Sequence, residues 1–388
     1  MKAAAAFIIL LFGVWRLSGQ SPYLLPQEIE DRLQQDTMPW KDQVATWRYS
    51  FIGEYWKSLE IWDTKRGGRR PMTASDSAYF DRFHPVEALQ YISLAASGRQ
   101  IVIINEAHHQ PQHRVFTTQL LRALYQKGFR YLALEDLNYT DTLIGRRGYP
   151  LTGSGYYIVE PRLGNLVRQA LAIGYTLWPY EWKDVGDRER GQARNLARLF
   201  EQDKQARVLV HCGFDHVIEG KHDYWDRAMA GWFKDITGID PLTISQVQMT
   251  ERSSPSRQDP HFEMHDLPYS AVYLDSLGRP FNGRQGKDQY DIELFHPRTA
   301  MVYGRPHWLT NDSDKAWVQV PRRKIRTGFP CLVEARLRSE GPDAIPVDVA
   351  VFDTGKEWPA LALFPGKYTL RIRDGNNKVQ ELRLTVKK

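Results

Sequence analysis

The sequence predicts an α/β protein, a mainly parallel sheet flanked by helices, followed by a small C-terminal antiparallel β-sandwich domain. Three observations predict it. Short all-apolar runs alternate with amphipathic stretches of helical period, as when strands are buried on both faces under crossover helices. Strand after strand finishes in a titratable residue, at Glu106, Glu135, Glu181 and His211. Around Thr310 the texture changes to short strand-like runs separated by turn signals such as Pro365-Gly366 and Asp374-Gly375.

At 388 residues, 42% apolar and 25% charged, the chain has an ordinary globular composition with room for one large or two moderate domains. It opens with Lys2, an apolar run from Ala3 to Trp15, then Arg16, Ser18 and Gly19. That run is short for a bilayer span and fits a signal peptide over residues 1–19. The expected mature protein is therefore exported, to the periplasm, the cell envelope or the exterior, with no transmembrane span. Without Lys2 and Arg16 the formal charge falls from +6 to 50 − 46, or +4. This small excess, with no dense basic block interleaved with aromatics, speaks against nucleic acid as a partner. Cys212 and Cys331, the only cysteines, read as two buried unpaired thiols.

Taken in order, Pro39 to Asp63 carries Val44, Trp47, Phe51, Tyr55, Leu59 and Trp62 at helical spacing and predicts one long helix with an aromatic core face. Lys65 to Pro71 reads as a loop and Pro85 to Ala96 as a helix. The branched run Ile101 to Ile104 is a buried strand. Val115 to Tyr125 follows as a helix closed by Gly128, and Tyr131 to Leu134 as the next strand. A Gly- and Tyr-rich passage, Gly145 to Tyr157, is too irregular for an ordinary connection. Helix Leu163–Ile173, strand Thr176–Tyr180, helix Arg188–Glu201 and strand Arg207–Val210 continue the alternation. A helix over Asp223–Ile236 and strands at Leu242–Val247, Ala271–Asp275 and Ala300–Tyr303 complete the sheet. The domains expected are thus residues 20–309 and 310–388, the second an adapter or sorting module that the first does not need in order to fold.

In an open parallel sheet, ligands bind outside the carboxyl ends of the strands, so Glu106, Glu135, Glu181 and the His211-Cys212-Gly213-Phe214-Asp215-His216 run are expected to face one crevice. Glu106-x-His108 puts a carboxylate beside an imidazole, either as metal ligands or as a base with its orienting partner. His109, His113 and His211 are either hydrogen-bonded structural groups or further ligands. Arg188, Glu189, Gln192 and Asn195 share adjoining faces of a helix start. A Gly-x-Ser-x-Gly elbow is not present, which leaves a covalent serine mechanism without support.

Asn-Glu-Ala-His-His-Gln-Pro-Gln-His-Arg at 105–114, Leu-Ala-Leu-Glu at 132–135, Arg-Glu-Arg-Gly-Gln-Ala-Arg-Asn at 188–195 and His-Cys-Gly-Phe-Asp-His at 211–216 together resemble the superfamily that joins erythromycin esterases, Tiki-type metalloproteases and ChaN-like haem-binding proteins. The resemblance spans about residues 80–250 and is nearer to the ChaN-like branch through Glu106, His108, Pro111 and His113; Asn105 stands where erythromycin esterases have glycine, and Glu189 where they have aspartate. It implies Glu106 and His108 as the first catalytic pair, Glu135 as the second-strand carboxylate, Arg188 as an electrostatic clamp and His216 as the partner from the fourth strand. To these the residues themselves add Glu181. The function expected is hydrolysis of an ester or amide bond in a small molecule or peptide by a Glu/His-activated water, with Arg188 or a divalent metal on Glu106, His108 and His216 stabilising the oxyanion. The alternative is a haem- or metal-binding protein without turnover, in which His109, His113 and His211 serve as cofactor ligands.

Overall fold

A computed structural model describes residues 21–64, 71–222, 225–283, 289–311 and 314–387. The expected signal peptide and nearly all of the Lys65–Pro71 loop lie outside the described residues. The chain enters through helices α1 (Pro26–Gln35), α2 (Lys41–Phe51), α3 (Tyr55–Thr64) and α4 (Ala74–Phe80), then strand β1 (His84–Glu87) and helix α5 (Ala88–Ala95). The alternation follows: β2 (Ile101–Glu106), α6 (Gln112–Gln126), β3 (Tyr131–Leu134), α7 (Ile144–Arg147), α8 (Pro161–Ile173), β4 (Thr176–Pro179), α9 (Arg188–Gln202), β5 (Val208–Gly213), α10 (Met229–Thr237) and β6 (Leu242–Ser245). After α11 (Pro260–Glu263) come β7 (Ala271–Leu274) and β8 (Ile292–Phe295).

These strands form one sheet in the order β1-β7-β8-β6-β2-β5-β3-β4. The six from β8 to β4 are parallel, and β7 and β1 are added antiparallel at one edge. The α/β class predicted from the alternating runs is therefore the class observed. β2 and β5 lie side by side at the centre, with Glu106 level with Gly213. From β2 the chain crosses β5 to reach β3, and from β5 it crosses β2 to reach β6, so their connections leave in opposite directions. Such a switch point opens a crevice above the carboxyl ends of the two strands.

One face of the sheet is covered by α5, α6 and α8, with Val102, Ile104, Phe116, Leu120, Leu166 and Val167 in a single apolar core. The other is covered by α9 and α10, through Ile101, Ile103, Leu196, Val210 and Phe233. Full burial of a side chain such as Leu120 stabilises the fold by about 1.5–3 kcal/mol, which is why these amphipathic helices form although each is too short to hold alone.

The helix expected over Pro39–Asp63 is two helices. Gly53 turns the chain between them at φ +77°, and a Cβ there would lie 2.6 Å from the Val349 carbonyl oxygen. The helix expected from Pro85 starts only at Ala88, because His84–Glu87 pairs with β7 and Glu87 caps the helix from its side chain. The helix expected from Asp223 starts at Met229, residues 223 and 224 lying outside the described residues. The run near Ala300–Tyr303 is not in the main sheet: β9 (Met301–Val302) pairs with β10 (Arg305–Pro306).

Beyond Thr310 lie two antiparallel sheets. One pairs β11 (Ala316–Gln319) with β14 (Ala360–Leu363). The other is ordered β13 (Asp348–Phe352), β12 (Cys331–Leu337), β15 (Gly366–Asp374), β16 (Val379–Val386). Val333, Phe352, Leu361 and Ile372 form a core between them. Yet Leu332, Ile345, Val349 and Val351 belong to the core under α6 and α8. Asp348 receives Arg162 from α8 and Arg305, each at 3.0 Å, all three side chains being buried. Apolar packing and ion pairs thus run continuously across the boundary expected at residue 310. Cys212 and Cys331 are both buried and unpaired.

Candidate functional site

Glu106 closes β2 and is 2% exposed. Its carboxylate receives Arg114 Nε at 2.5 Å and Arg114 Nη2 at 2.6 Å, His108 Nδ1 at 2.8 Å and His211 Nε2 at 2.9 Å. Arg114 stands in the first turn of α6, where the helix start faces the strand end. Its third nitrogen reaches Glu160, which also caps α8 by accepting the backbone N–H groups of Arg162 and Leu163. Burial alone would raise the Glu106 carboxyl; Arg114 and the two histidines bring it well below the usual carboxylate range.

Donation from Nδ1 to Glu106 leaves the lone pair of His108 on Nε2. Among the described residues, no hydrogen-bond partner of Nε2 is found. The imidazole is held flat: Tyr157 stacks on it at 3.8 Å, and Phe214 and Trp47 meet it edge-on at 5.1 and 6.1 Å. Beneath it lies Gly213. A Cβ there would sit 2.5 Å from His108 Cε1 and 2.6 Å from Nε2, so only glycine allows the ring to rest on the end of β5. Tyr157 comes from the Gly- and Tyr-rich passage, whose backbone is pinned when Asp136 accepts the N–H groups of Tyr156, Tyr157 and Ile158.

The N–H of Gly213 donates to Glu135 Oε2 at 2.5 Å, which joins the histidine to a second polar group. There Arg188 Nη2 is shared between Glu135 at 2.7 Å and Glu181 at 2.5 Å, and Arg188 Nη1 lies 3.0 Å from His216 Nε2. Gln192 donates to both Glu181 oxygens. His216 Nδ1 bonds Glu189 at 2.7 Å, and its Nε2 lies 3.4 Å from Glu135. Burial disfavours the imidazolium of His216, but Glu189 and Glu135 overcome that and push its pKa up to about 10. Burial likewise works against the Glu135 carboxylate, and His216 and Arg188 hold it well below the ordinary range. Glu189 at Nδ1 and Glu135 near Nε2 favour the imidazolium of His216, against the Arg188 N–H that faces Nε2 at 3.0 Å.

Glu106 and His108 thus form one polar group, and Glu135, Glu181, Arg188 and His216 a second; they adjoin where the His108 ring packs on Gly213, whose N–H donates to Glu135. His109, His113 and His211 do not converge. His113 is buried with Nδ1 accepting the Ala107 N–H and Nε2 against Thr250, and burial pushes its pKa down to about 3. His211 has Glu106 on one nitrogen and Thr117 on the other. His109 points the other way, stacked on Trp62 at 4.2 Å. As to a metal, no group of three or more His, Cys, Asp or Glu side chains among the described residues is arranged to hold one. The Glu106 oxygens are already taken by four donors, and His216 by Glu189.

Sequence reasoning gave no role to Arg114, Gly213, Tyr157 or Glu160. Arg114 had a faint signal, an arginine heading a helix whose next turns are apolar; the other three acquire their place only through the tertiary fold.

No family model and no curated protein matches the chain. Solved structures similar to it include the type III effector HopBA1, 14% identical with a TM-score of 0.35, covering 55% of this chain and 96% of that one. RRSP, a MARTX toxin effector domain from Vibrio vulnificus CMCP6, is 14% identical with a TM-score of 0.31 over 60% of this chain and 55% of that one. Likenesses this faint leave function to the chain's own residues, and that holds equally for ChaN of Campylobacter jejuni, solved with cofacial haem, which is 9% identical with a TM-score of 0.29 over 56% of this chain and 97% of that chain.

Proposed function

We propose that the protein hydrolyses an ester or amide bond, with His108 Nε2 taking the proton of the attacking water. One observation carries this reading: Glu106 fixes Nδ1 of His108, Gly213 clears the space beneath the ring, and Nε2 is left without a hydrogen-bond partner among the described residues at the end of β5. An imidazole so held is oriented as a general base. As water adds to the carbonyl carbon, its proton passes to Nε2 and the carbonyl oxygen becomes an oxyanion. Arg188 and the His216 imidazolium are the positive charges at hand to stabilise it. Collapse of the tetrahedral species breaks the bond to the leaving oxygen or nitrogen, and His108 returns the proton to it.

The haem alternative draws less from the geometry, since His113 and His211 have both ring nitrogens engaged. Export is part of the proposal through the apolar run after Lys2; among the described residues no helix is long and apolar enough to cross a membrane.

An ester and peptide panel tests the reading. Activity that His108→Ala lowers by about a hundredfold or more, with the fold intact by circular dichroism, is the expected result. Turnover unchanged in both His108→Ala and Glu106→Gln would end it.

A further inference from the structure

A cavity of about 580 Å³ opens between α2, α3, the loop after His108 and the β9–β10 turn. It is separate from the crevice, for none of Glu135, Glu181, Arg188 and His216 lines it. Tyr55, Trp56, Leu59 and Trp308 supply aromatic and aliphatic wall, and Trp56 is 42% exposed although large and apolar.

The charges on the wall decide what it would take. Lys356 is paired with Glu54 at 3.1 Å, Lys57 with Glu60 at 3.8 Å, and Arg305 with Asp348 at 3.0 Å. Glu251 and Glu357 remain. Glu251 is the more enclosed, and both its oxygens face the N–H of Thr299, at 3.1 and 3.2 Å. It has no ion-pair partner among the described residues. Burial raises its carboxyl above the usual range, only partly offset by Thr299 and, from further off, by Arg298 and His307. A shielded carboxylate whose cationic neighbours, Arg298 and His307, stand beyond ion-pair distance remains costly, and a cation placed against it would relieve that cost. Aromatic faces beside it favour a positive charge and an apolar body together.

We propose that this cavity binds an organic cation, an amine or guanidinium on an aromatic or branched aliphatic body, with Glu251 taking the charge and Trp56 and Trp308 the body. Gln110 ties the site to the loop that carries His108: its side-chain amide donates to the Glu251 carbonyl and its oxygen accepts from Thr250. Binding is a property separate from the hydrolytic reading and is measured without turnover.

The probes are phenethylamine and its uncharged match 2-phenylethanol, titrated into the full mature chain at neutral pH. Binding is followed by saturation-transfer NMR and tryptophan fluorescence. Phenethylamine is expected to bind at least about tenfold tighter; Glu251→Gln, which keeps the size of the side chain, should erase that preference, and Trp56→Ala should weaken both probes. The wild-type comparison stands alone if a variant fails to fold. Equal binding of the two probes, binding of neither, or a preference unchanged in Glu251→Gln overturns the proposal. A Soret shift on adding haemin that His109→Ala abolishes would give the cavity to haem and overturn it as well.

Discussion

Arg114 grips Glu106 with two nitrogens, at 2.5 and 2.6 Å, and the guanidinium is wholly removed from solvent. A buried charge deprived of its partner costs about 3–5 kcal/mol. Arg114→Met, which removes the cation between Glu106 and Glu160, is expected to lose that much stability in urea denaturation, and Arg114→Lys somewhat less because it keeps a positive charge there although it cannot reach both carboxylates in the same fork. A midpoint unmoved in Arg114→Met would show that the network is not holding the strand end.

Gly213 has φ −86° and ψ 149°, a backbone that alanine adopts freely. Gly213→Ala is therefore a steric probe of the His108 ring. It should fold at a cost of about 1–3 kcal/mol for overpacking against the held ring and lose about a hundredfold in kcat, as displacement by about 1 Å can cost. Full activity in a folded Gly213→Ala would remove His108 from the chemistry.

His216 has a folded-state pKa of about 10, above its ordinary 6.5. The sign follows from linkage: the folded protein holds a proton that the unfolded chain releases, so this stabilisation is complete below pH 6.5 and lost as pH rises through 10. Tm is expected to fall across that window, and His216→Gln to flatten the fall. Identical slopes in the two proteins would mean that His216 is not the cation assigned here.

Asp348 is shared by Arg162 and Arg305. Asp348→Ala leaves two buried guanidinium groups short of a carboxylate and should cost about 3–5 kcal/mol. By the same reasoning residues 20–309, expressed alone, are expected to be insoluble or to unfold without cooperativity. A soluble fragment with a sharp thermal transition would restore the independent domain that the turn-rich texture after Thr310 suggests.

The sheet was readable from runs such as Ile101–Ile104 because a strand buried on both faces is apolar along its length, polar residues entering only at its carboxyl end with Asn105 and Glu106. The break in the first long helix was not, since Val44, Trp47, Phe51, Tyr55, Leu59 and Trp62 keep their spacing across Gly53. What forces the break is the backbone of Val349, remote in sequence. β8 and β14 went unforeseen; Ile292–Phe295 and Ala360–Leu363 are four residues each, too short to declare a period. At the site, the titratable residues at strand ends announced themselves by chemical type. The packing around them did not, for Arg114 reads as an exposed helix residue until Glu106 and Glu160 are known to flank it, and three neighbouring histidines give no hint that their rings turn to different partners.

Arg373, on β15, bonds the backbone oxygen of Tyr23 and the carboxylate of Glu28. Tyr23 and Leu25 in turn belong to the same core as Val349 and Leu332. The first described segment is thus seated on a strand 350 residues further along the chain. On the ribosome, α1 finds its partner only once β15 has been made, and the core shared by Tyr23, Leu332 and Val349 cannot close earlier. Contacts so distant along the chain slow folding, so the fold closes as a whole rather than piece by piece.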